Sequence, residues 1–315
     1  MLRYLVQRLS LALVVLFGLA ILSFTLVHLV PGDPVRITLG SRATEESIRA
    51  ATAQLGLDKP ILSQFWTFVS GAVRGDFGTS LVFNAPVGEV VGERVGPSAL
   101  LIGYGLLISL VVGIPLAIAA ALRPNGALDN AIRVLTTFTF AMPQFWLGLM
   151  LALVFGLALG LFPVSASDYE PSLGWVLEKL TLPALTVGLP LATIVVRTLR
   201  SSLLEVLQTE YIEAARSRGL SERRVVIKHA LRNAMMATIT VVGVNLGFLI
   251  GQTVVVEVIF QIPGVGSLLL QGVLRRDYSL VQGLALLSGA AVVLISLLTD
   301  LAQAAADPRV RLAKR

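Results

Sequence analysis

Few residues in this sequence have the types and spacing that enzyme chemistry needs. A phosphate-binding loop needs a lysine directly after a glycine, and no lysine here follows one. The four lysines are Lys59, Lys179, Lys228 and Lys314. The chain has no cysteine, which excludes disulfides, thiolate metal sites and cysteine nucleophiles. The two histidines, His28 and His229, are far apart in sequence. We therefore expect no ATP site of its own, no metal site and no catalytic residues.

The most informative charged stretch covers residues 205–234, between two long apolar runs. Its centre reads Glu213-Ala214-Ala215, then three other residues, then Gly219. This pattern predicts two short helices with a turn at Gly219, because glycine is favoured where a helix ends with positive φ. Thr209 and Ser221 are the predicted N-caps of the two helices.

One face of the first predicted helix is built from small residues. Helical spacing places Tyr211, Ala214, Ala215 and Arg218 together on that face. Such a face is flat, so another protein surface can approach it closely. The alternative interpretation is an amphipathic helix that lies on a membrane and is rich in arginine because of topology. The local pattern alone favours this alternative, and the rest of the chain reverses the preference.

The composition is that of a membrane protein. Of the 315 residues, 55% are hydrophobic and 14% are charged, and the mean hydropathy is +0.83. Soluble domains carry about 25% charged residues. The net charge of +6 could suggest nucleic acid, but the basic residues flank apolar runs instead of covering one face. Membrane lipid and topology explain them better, and no nucleic-acid partner is expected.

Six apolar segments are long enough to cross a bilayer, for which about 20 residues suffice. They cover residues 9–30, 99–122, 132–161, 180–204, 235–259 and 279–304. The first is expected to be a retained span, since it is longer than a signal-peptide core and no cleavage site follows it. The third is too long for one straight crossing and contains Met142-Pro143, so a kink or a break is expected there.

These segments predict an all-α integral membrane protein with four regions. Residues 1–34 hold the first transmembrane helix, 35–96 a small extracytoplasmic insertion of short helices, 97–304 the core with the other five spans, and 305–315 a basic tail. Most basic residues of the short connecting segments fall on one side of the predicted membrane. The short loops on the other side hold only Lys179, Arg275 and Arg276. The positive-inside rule therefore predicts cytoplasmic termini and a cytoplasmic 205–234 segment.

The candidates for a translocation pathway are Met142, beside the expected break, and the polar residues Asn245 and Gln252 of the fifth span. Hydrogen bonding between helices is the competing interpretation of the two amides. A stand-alone secondary carrier normally has ionisable residues inside its spans, and no buried ionisable pair is evident here. A carrier is therefore less favoured, and a membrane structural or assembly protein is the third possibility.

Stretches along nearly the whole chain are similar to those of a known family. Glu213-Ala214-Ala215-x-x-x-Gly219 resembles the EAA loop of binding-protein-dependent ABC importer permeases. Further stretches resemble the peptide branch, in its B-type subunit: residues 7–9, 28–34, 55–60, 75–80, 229–234, 260–266, 276–278 and 307–311. One departure is Leu231-Arg232, where the generic motif has Leu-Pro; the peptide branch tolerates this.

The resemblance implies a type I ABC importer permease fold and a set of partners. A second, homologous permease pairs with the chain, and two cytoplasmic ATPase subunits, which bind ATP and Mg, drive the pair. An extracytoplasmic binding protein delivers a di- or oligopeptide across the cytoplasmic membrane of a prokaryote. Nickel, glutathione or another small solute are the alternative substrates.

The same resemblance implies that the first helix of the 205–234 segment is the coupling helix to an ATPase subunit. Its implied contact residues are Tyr211, Ile212, Glu213, Ala214, Ala215, Arg216, Gly219 and Leu220. Small residues at Ala214 and Ala215 are expected because the helix must seat deeply. Gly219 is expected to set the angle at which force enters the fifth span.

Overall fold

A computed structural model describes residues 2–29, 44–54, 56, 58–170 and 172–306, and this part of the chain is almost entirely helical. The helices are α1 (Leu2–Leu29), α2 (Glu45–Gln54), α3 (Ile61–Val73), α4 (Val87–Leu122), α5 (Ala127–Ala141), α6 (Gln144–Leu151), α7 (Leu173–Lys179), α8 (Thr181–Leu207), α9 (Glu210–Ser217), α10 (Glu222–Arg224), α11 (Leu231–Ile259), α12 (Val265–Leu274) and α13 (Tyr278–Ala306). Two π-helical segments, Ala152–Ala158 and Val225–Ala230, continue α6 and α10. A short antiparallel hairpin pairs β1 (Thr79–Ser80) with β2 (Ala85–Pro86).

Five helices of the described chain are long and apolar enough to cross a membrane: Arg8–Thr25, Val87–Leu122, Thr181–Leu207, Glu222–Ile259 and Tyr278–Gln303. A sixth candidate is the pair α5 and α6, which is bent by 103° at the Met142-Pro143 break. Met142 is extended there (φ −74°, ψ 129°), because the residue before a proline avoids the helical region. The expected break is confirmed, and the six segments predicted from the sequence correspond to these elements.

Helix α4 begins at Val87, well before the predicted start of the second span at residue 99. Its first three turns contain Glu89, Glu93 and Arg94. Hydropathy finds only the apolar part of a helix, so the polar extension was missed. Residues 30–43, the His28 side chain and the tail beyond residue 306 lie outside what the structure describes.

One of two compact units comprises residues 1–99 and 262–293. A buried carboxylate joins two of its sequence stretches: Asp277 Oδ2 accepts from Ser80 Oγ at 2.5 Å and from the Val82 N–H at 3.1 Å. Asp277 Oδ1 also accepts from the Leu280 N–H, at the start of α13. Leu268 of α12 is fully buried in this unit's core. Helix α12 is therefore packed into the core of this unit.

The other unit comprises residues 100–261 and 294–315 and is built around α8. Of the apolar window in α8, 67% is buried, and the helix packs against α11, α5 and α6. The crossing of α8 with α4 is close. A Cβ atom on Gly188 would lie 2.6 Å from the backbone oxygen of Gly105. On α11, Gly243 meets the Thr299 side chain of α13, whereas a Cβ on Gly251 would meet open space.

Gly188→Ala is expected to lower the free energy of unfolding by about 1–3 kcal/mol, because backbone cannot move aside for the added methyl. Gly103→Ala is the matched control on α4, where a Cβ would meet nothing within 4 Å. The control is expected to be neutral or stabilising, since alanine favours helix over glycine. Unfolding of the two variants in detergent tests this, and equal stability would contradict the close crossing.

Candidate functional site

The 205–234 segment contains the predicted first short helix and the turn at Gly219, but the second helix is not short: it is the start of one continuous helix, Glu222–Ile259, that includes the fifth span. Helix α9 follows α8 after a two-residue connection, and Gly219 (φ +78°) turns the chain toward α10. Thr209 and Ser221 occupy the N-cap positions in extended conformation, so both positions are confirmed. Neither side chain makes a capping hydrogen bond. Thr209 Oγ1 donates instead to the Val206 carbonyl at 2.6 Å, which holds the end of α8 against the start of α9.

Helix α9 has one face buried in its own chain. Ile212 is 0% and Ala215 is 7% exposed. They belong to a cluster contributed by α4, α8 and the helix Glu222–Ile259: Ala117, Ala121, Leu199, Leu203, Val225, Ala230 and Ala234. Leu220 is half-buried against the same cluster. The prediction that Ala215 shares an outward face with Tyr211 and Ala214 is therefore wrong: Ala215 lies on the inward side, one turn from Ile212.

The outward surface of α9 consists of the remaining residues of the predicted site. Tyr211, Glu213, Ala214, Arg216 and Gly219 are exposed. Ala214 is the small residue of this surface, and acidic and basic side chains surround it. The structure thus divides the eight predicted contact residues into five on the surface, two buried beneath it and Leu220 at its edge.

Two side-chain tethers fix this outward surface to neighbouring helices. Arg216 donates to Glu222 through Nε (3.1 Å) and Nη2 (2.7 Å), which ties α9 to α10 across the Gly219 turn. The same hydrogen-bonded carboxylate raises the pKa of Arg216. Asn233 Nδ2 donates to Tyr211 Oη at 2.7 Å, which ties α9 to the first turn of α11. Both bonds therefore join α9 to the helix Glu222–Ile259, which follows the Gly219 turn.

Gly219→Ala is expected to lower the free energy of unfolding by about 1 kcal/mol, because its φ lies in the left-handed region. Nothing lies within 4 Å of an added Cβ, so the cost arises in the backbone alone. Gly219→Asn is the matched control, since asparagine tolerates this region better. Unfolding measurements in detergent should rank glycine, asparagine and alanine in that order. Equal losses for the two variants would show that φ is not the cause.

A buried ion pair that sequence reasoning missed lies next to this segment. Arg200 of α8 donates to Asp129 of α5 through Nε and Nη2, both at 2.6 Å, and the Asn125 N–H donates to the same carboxylate at 2.9 Å. The Asp129 side chain is fully buried. The sequence analysis found no buried ionisable pair inside the spans; this pair joins the first turn of α5, before the predicted third span, to α8. Its partners are distant in sequence, so no local pattern reveals it.

The three predicted pathway residues are not brought together by hydrogen bonds in the described chain. Met142 lies at the α5–α6 break. Asn245 Nδ2 donates to the Val241 carbonyl of its own helix at 2.7 Å, so this bond does not join helices. Gln252, two turns further along α11, is exposed. Val244, Phe248 and Val255 of α11 are exposed as well. Their role in a pathway stays a prediction.

Comparison with known proteins gives two family matches that together cover most of the chain. Residues 113–312 match the binding-protein-dependent transport system inner membrane component. Residues 1–88 match the N-terminal domain of the membrane components of the same transport systems.

Individual relatives match over their full length. A protein of Brucella suis biovar 1 (strain 1330) named as a peptide permease is 38% identical, with 99% of each chain covered. The glutathione transport system permease protein GsiC of Escherichia coli (strain K12) is 37% identical, again with 99% of each chain covered. A solved structure of the MetNI methionine ABC transporter in an inward-facing conformation has a chain with a similar fold. Its TM-score is 0.55 at 19% identity, covering 69% of this chain and 96% of that one.

Proposed function

This chain belongs to the family of binding-protein-dependent transport system inner membrane components and is a permease subunit of an ABC importer, and on that premise we propose that it imports short peptides. One full-length relative is named as a peptide permease and another as a glutathione permease. Glutathione is itself a modified tripeptide, so both names favour a pathway that accepts a peptide backbone. Glutathione is accordingly the second candidate substrate.

The assembly that we propose has a second, homologous permease, two ATPase subunits and an external binding protein. The family description supports dependence on a binding protein. The chain's own lysine pattern offers no phosphate-binding loop, so ATP and Mg are bound by the ATPase subunits. The apolar surface left exposed on α11 supports a permease partner in the membrane.

The ATPase subunits dock, in this proposal, on the outward surface of α9, on the cytoplasmic side that also holds both termini. The observation that carries the proposal is the two-sided character of α9. One face is buried among three membrane-spanning helices, while the opposite face, around Ala214, is exposed. The Arg216–Glu222 and Asn233–Tyr211 bonds hold that surface in place. A helix in this position passes displacement from a docked subunit directly to the spans.

Reconstitution tests the proposed function. The chain is assembled in liposomes with the second permease, the ATPase subunits and the binding protein that are encoded with it. ATP-dependent uptake is then measured for labelled di-, tri- and oligopeptides, for glutathione and for nickel. We expect peptide uptake that stops when the ATPase subunits carry an inactivated ATP site. Uptake of nickel alone would contradict the proposal that the substrate is a peptide. Uptake driven by an ion gradient without ATPase subunits would contradict the proposed ATP-driven mechanism.

A further inference from the structure

Helix α3, in the region expected to be extracytoplasmic, has the surface of a membrane-embedded element. Its sequence from Ile61 to Val73 contains no charged residue, whereas Lys59 and Arg74 flank it. None of its side chains is buried. Large apolar groups point outward, with Leu62 73% and Val73 85% exposed. Leu62, Trp66 and Val73 form an exposed apolar stripe beside the small polar residues Ser63, Thr67 and Ser70. In water this stripe would be an exposed apolar patch, which soluble proteins avoid.

The other face of α3 packs on the first transmembrane helix. The Phe65 ring centroid lies 6.0 Å from that of Phe17 and 5.4 Å from that of Phe24, both in edge-to-face geometry. Phe17 and Phe24 both lie within the membrane-spanning window Arg8–Thr25 of α1. At 1.5 Å per residue they are about 10 Å apart along the helix axis. The contact therefore extends well into the part of α1 that lies in hydrocarbon.

From these contacts we propose that α3 is embedded in the lipid leaflet that surrounds the C-terminal end of α1. With 13 residues it is about 20 Å long, too short to cross a hydrocarbon core of about 30 Å. Both helices of this pair expose large apolar side chains, among them Val14 and Leu22 on α1 and Leu62 and Val73 on α3. The partner of this surface is lipid, because a bilayer already covers the neighbouring face of α1.

The polar groups of α3 fit this placement. Trp66 stacks edge-on with Phe65 at 5.5 Å and is itself half exposed. Tryptophan favours the interfacial zone of a bilayer. Lys59 and Arg74 can reach headgroups from the two ends of the helix. The insertion between the first two spans is thus partly a membrane anchor, which holds the following hairpin close to the bilayer surface.

Because the chain has no native cysteine, single spin labels test this inference without background. Leu62→Cys is labelled in the assembled transporter in lipid nanodiscs, and collision with oxygen and with a water-soluble nickel chelate is measured. Val14→Cys on α1 is the lipid control, and Glu46→Cys on α2 is the aqueous control, both at exposed positions.

The label at position 62 is expected to follow the position-14 control, with frequent oxygen collisions and loss of the nickel collisions seen at position 46. Nickel accessibility equal to that at position 46 would overturn the proposal and leave α3 in water. Low accessibility to both reagents would also overturn it, because a protein partner would then cover the surface. The readout does not depend on transport, so it stands apart from the proposed substrate.

Discussion

Asp129→Ala is expected to lower the free energy of unfolding by about 3 kcal/mol, the lower end of the range for breaking a buried ion pair. The substitution leaves Arg200 without its carboxylate and the Asn125 N–H without its acceptor. The lower end applies because 20% of the Arg200 side chain is exposed to solvent, so water can hydrate part of the unpaired charge. Thermal or denaturant unfolding of the purified chain in detergent measures the loss.

Two further variants distinguish the cost of leaving a charge unpaired from the cost of losing the side-chain contacts at this site. Asp129→Asn keeps an acceptor for the Asn125 N–H and should recover part of the loss. The double variant Asp129→Ala/Arg200→Leu removes the unpaired charge and should be more stable than Asp129→Ala alone. If Asp129→Ala stays within about 0.5 kcal/mol of the wild type, as ordinary surface changes do, the ion pair does not join α5 to α8 as described.

Ala214→Arg is expected to reduce ATP-driven uptake at least about tenfold, equivalent to about 1.4 kcal/mol of lost docking free energy. The large charged side chain would stand in the middle of the surface that we propose as the docking site of an ATPase subunit. Folding should be preserved, because Ala214 is exposed and faces away from the chain's own core. Uptake in liposomes, with the amount of assembled complex quantified, measures the effect.

The same substitution at the adjacent buried alanine, Ala215→Arg, serves as a comparison. It would force a charge into the cluster beneath α9, whose described members are all hydrophobic and offer the charge no hydrogen-bonding side chain. We expect this variant to lose folding stability along with uptake, whereas Ala214→Arg loses uptake alone. Ala214→Ser, small and neutral, should transport like the wild type. Full uptake by Ala214→Arg would remove this surface from the coupling mechanism.

The elements that the sequence predicted well depend on local composition. Apolar length located the five spanning helices and the bent pair α5–α6, Pro143 marked the break in that pair, and Gly219 marked the turn after α9. Each signal is contained within a few neighbouring residues, so no knowledge of tertiary packing was needed. The resemblance of the Glu213-Ala214-Ala215-x-x-x-Gly219 pattern then led to the family, which the comparisons establish.

The features that the sequence did not reveal depend on contacts between distant segments. Ala214 and Ala215 are identical in type, so only packing determines which of them faces outward. Asp129 and Arg200 lie on different helices, and the sequence around either residue does not predict the other as its partner. The burial of Asp277 against Ser80 is of the same kind. For α3, the sequence contains the apolar residues, but the proposed position of the helix in the lipid leaflet depends on the contacts with Phe17 and Phe24 of α1.

Site-specific photo-crosslinking tests the central claim, that the outward surface of α9 docks an ATPase subunit. A single cysteine in place of Glu213, an exposed residue of α9 beside Ala214, carries a benzophenone in the assembled transporter, and a cysteine in place of Glu170, exposed in the loop before α7, serves as control. Illumination is expected to join position 213 to an ATPase subunit and to leave position 170 without that product. Intact complexes in which position 213 gives no ATPase adduct would contradict docking on this surface.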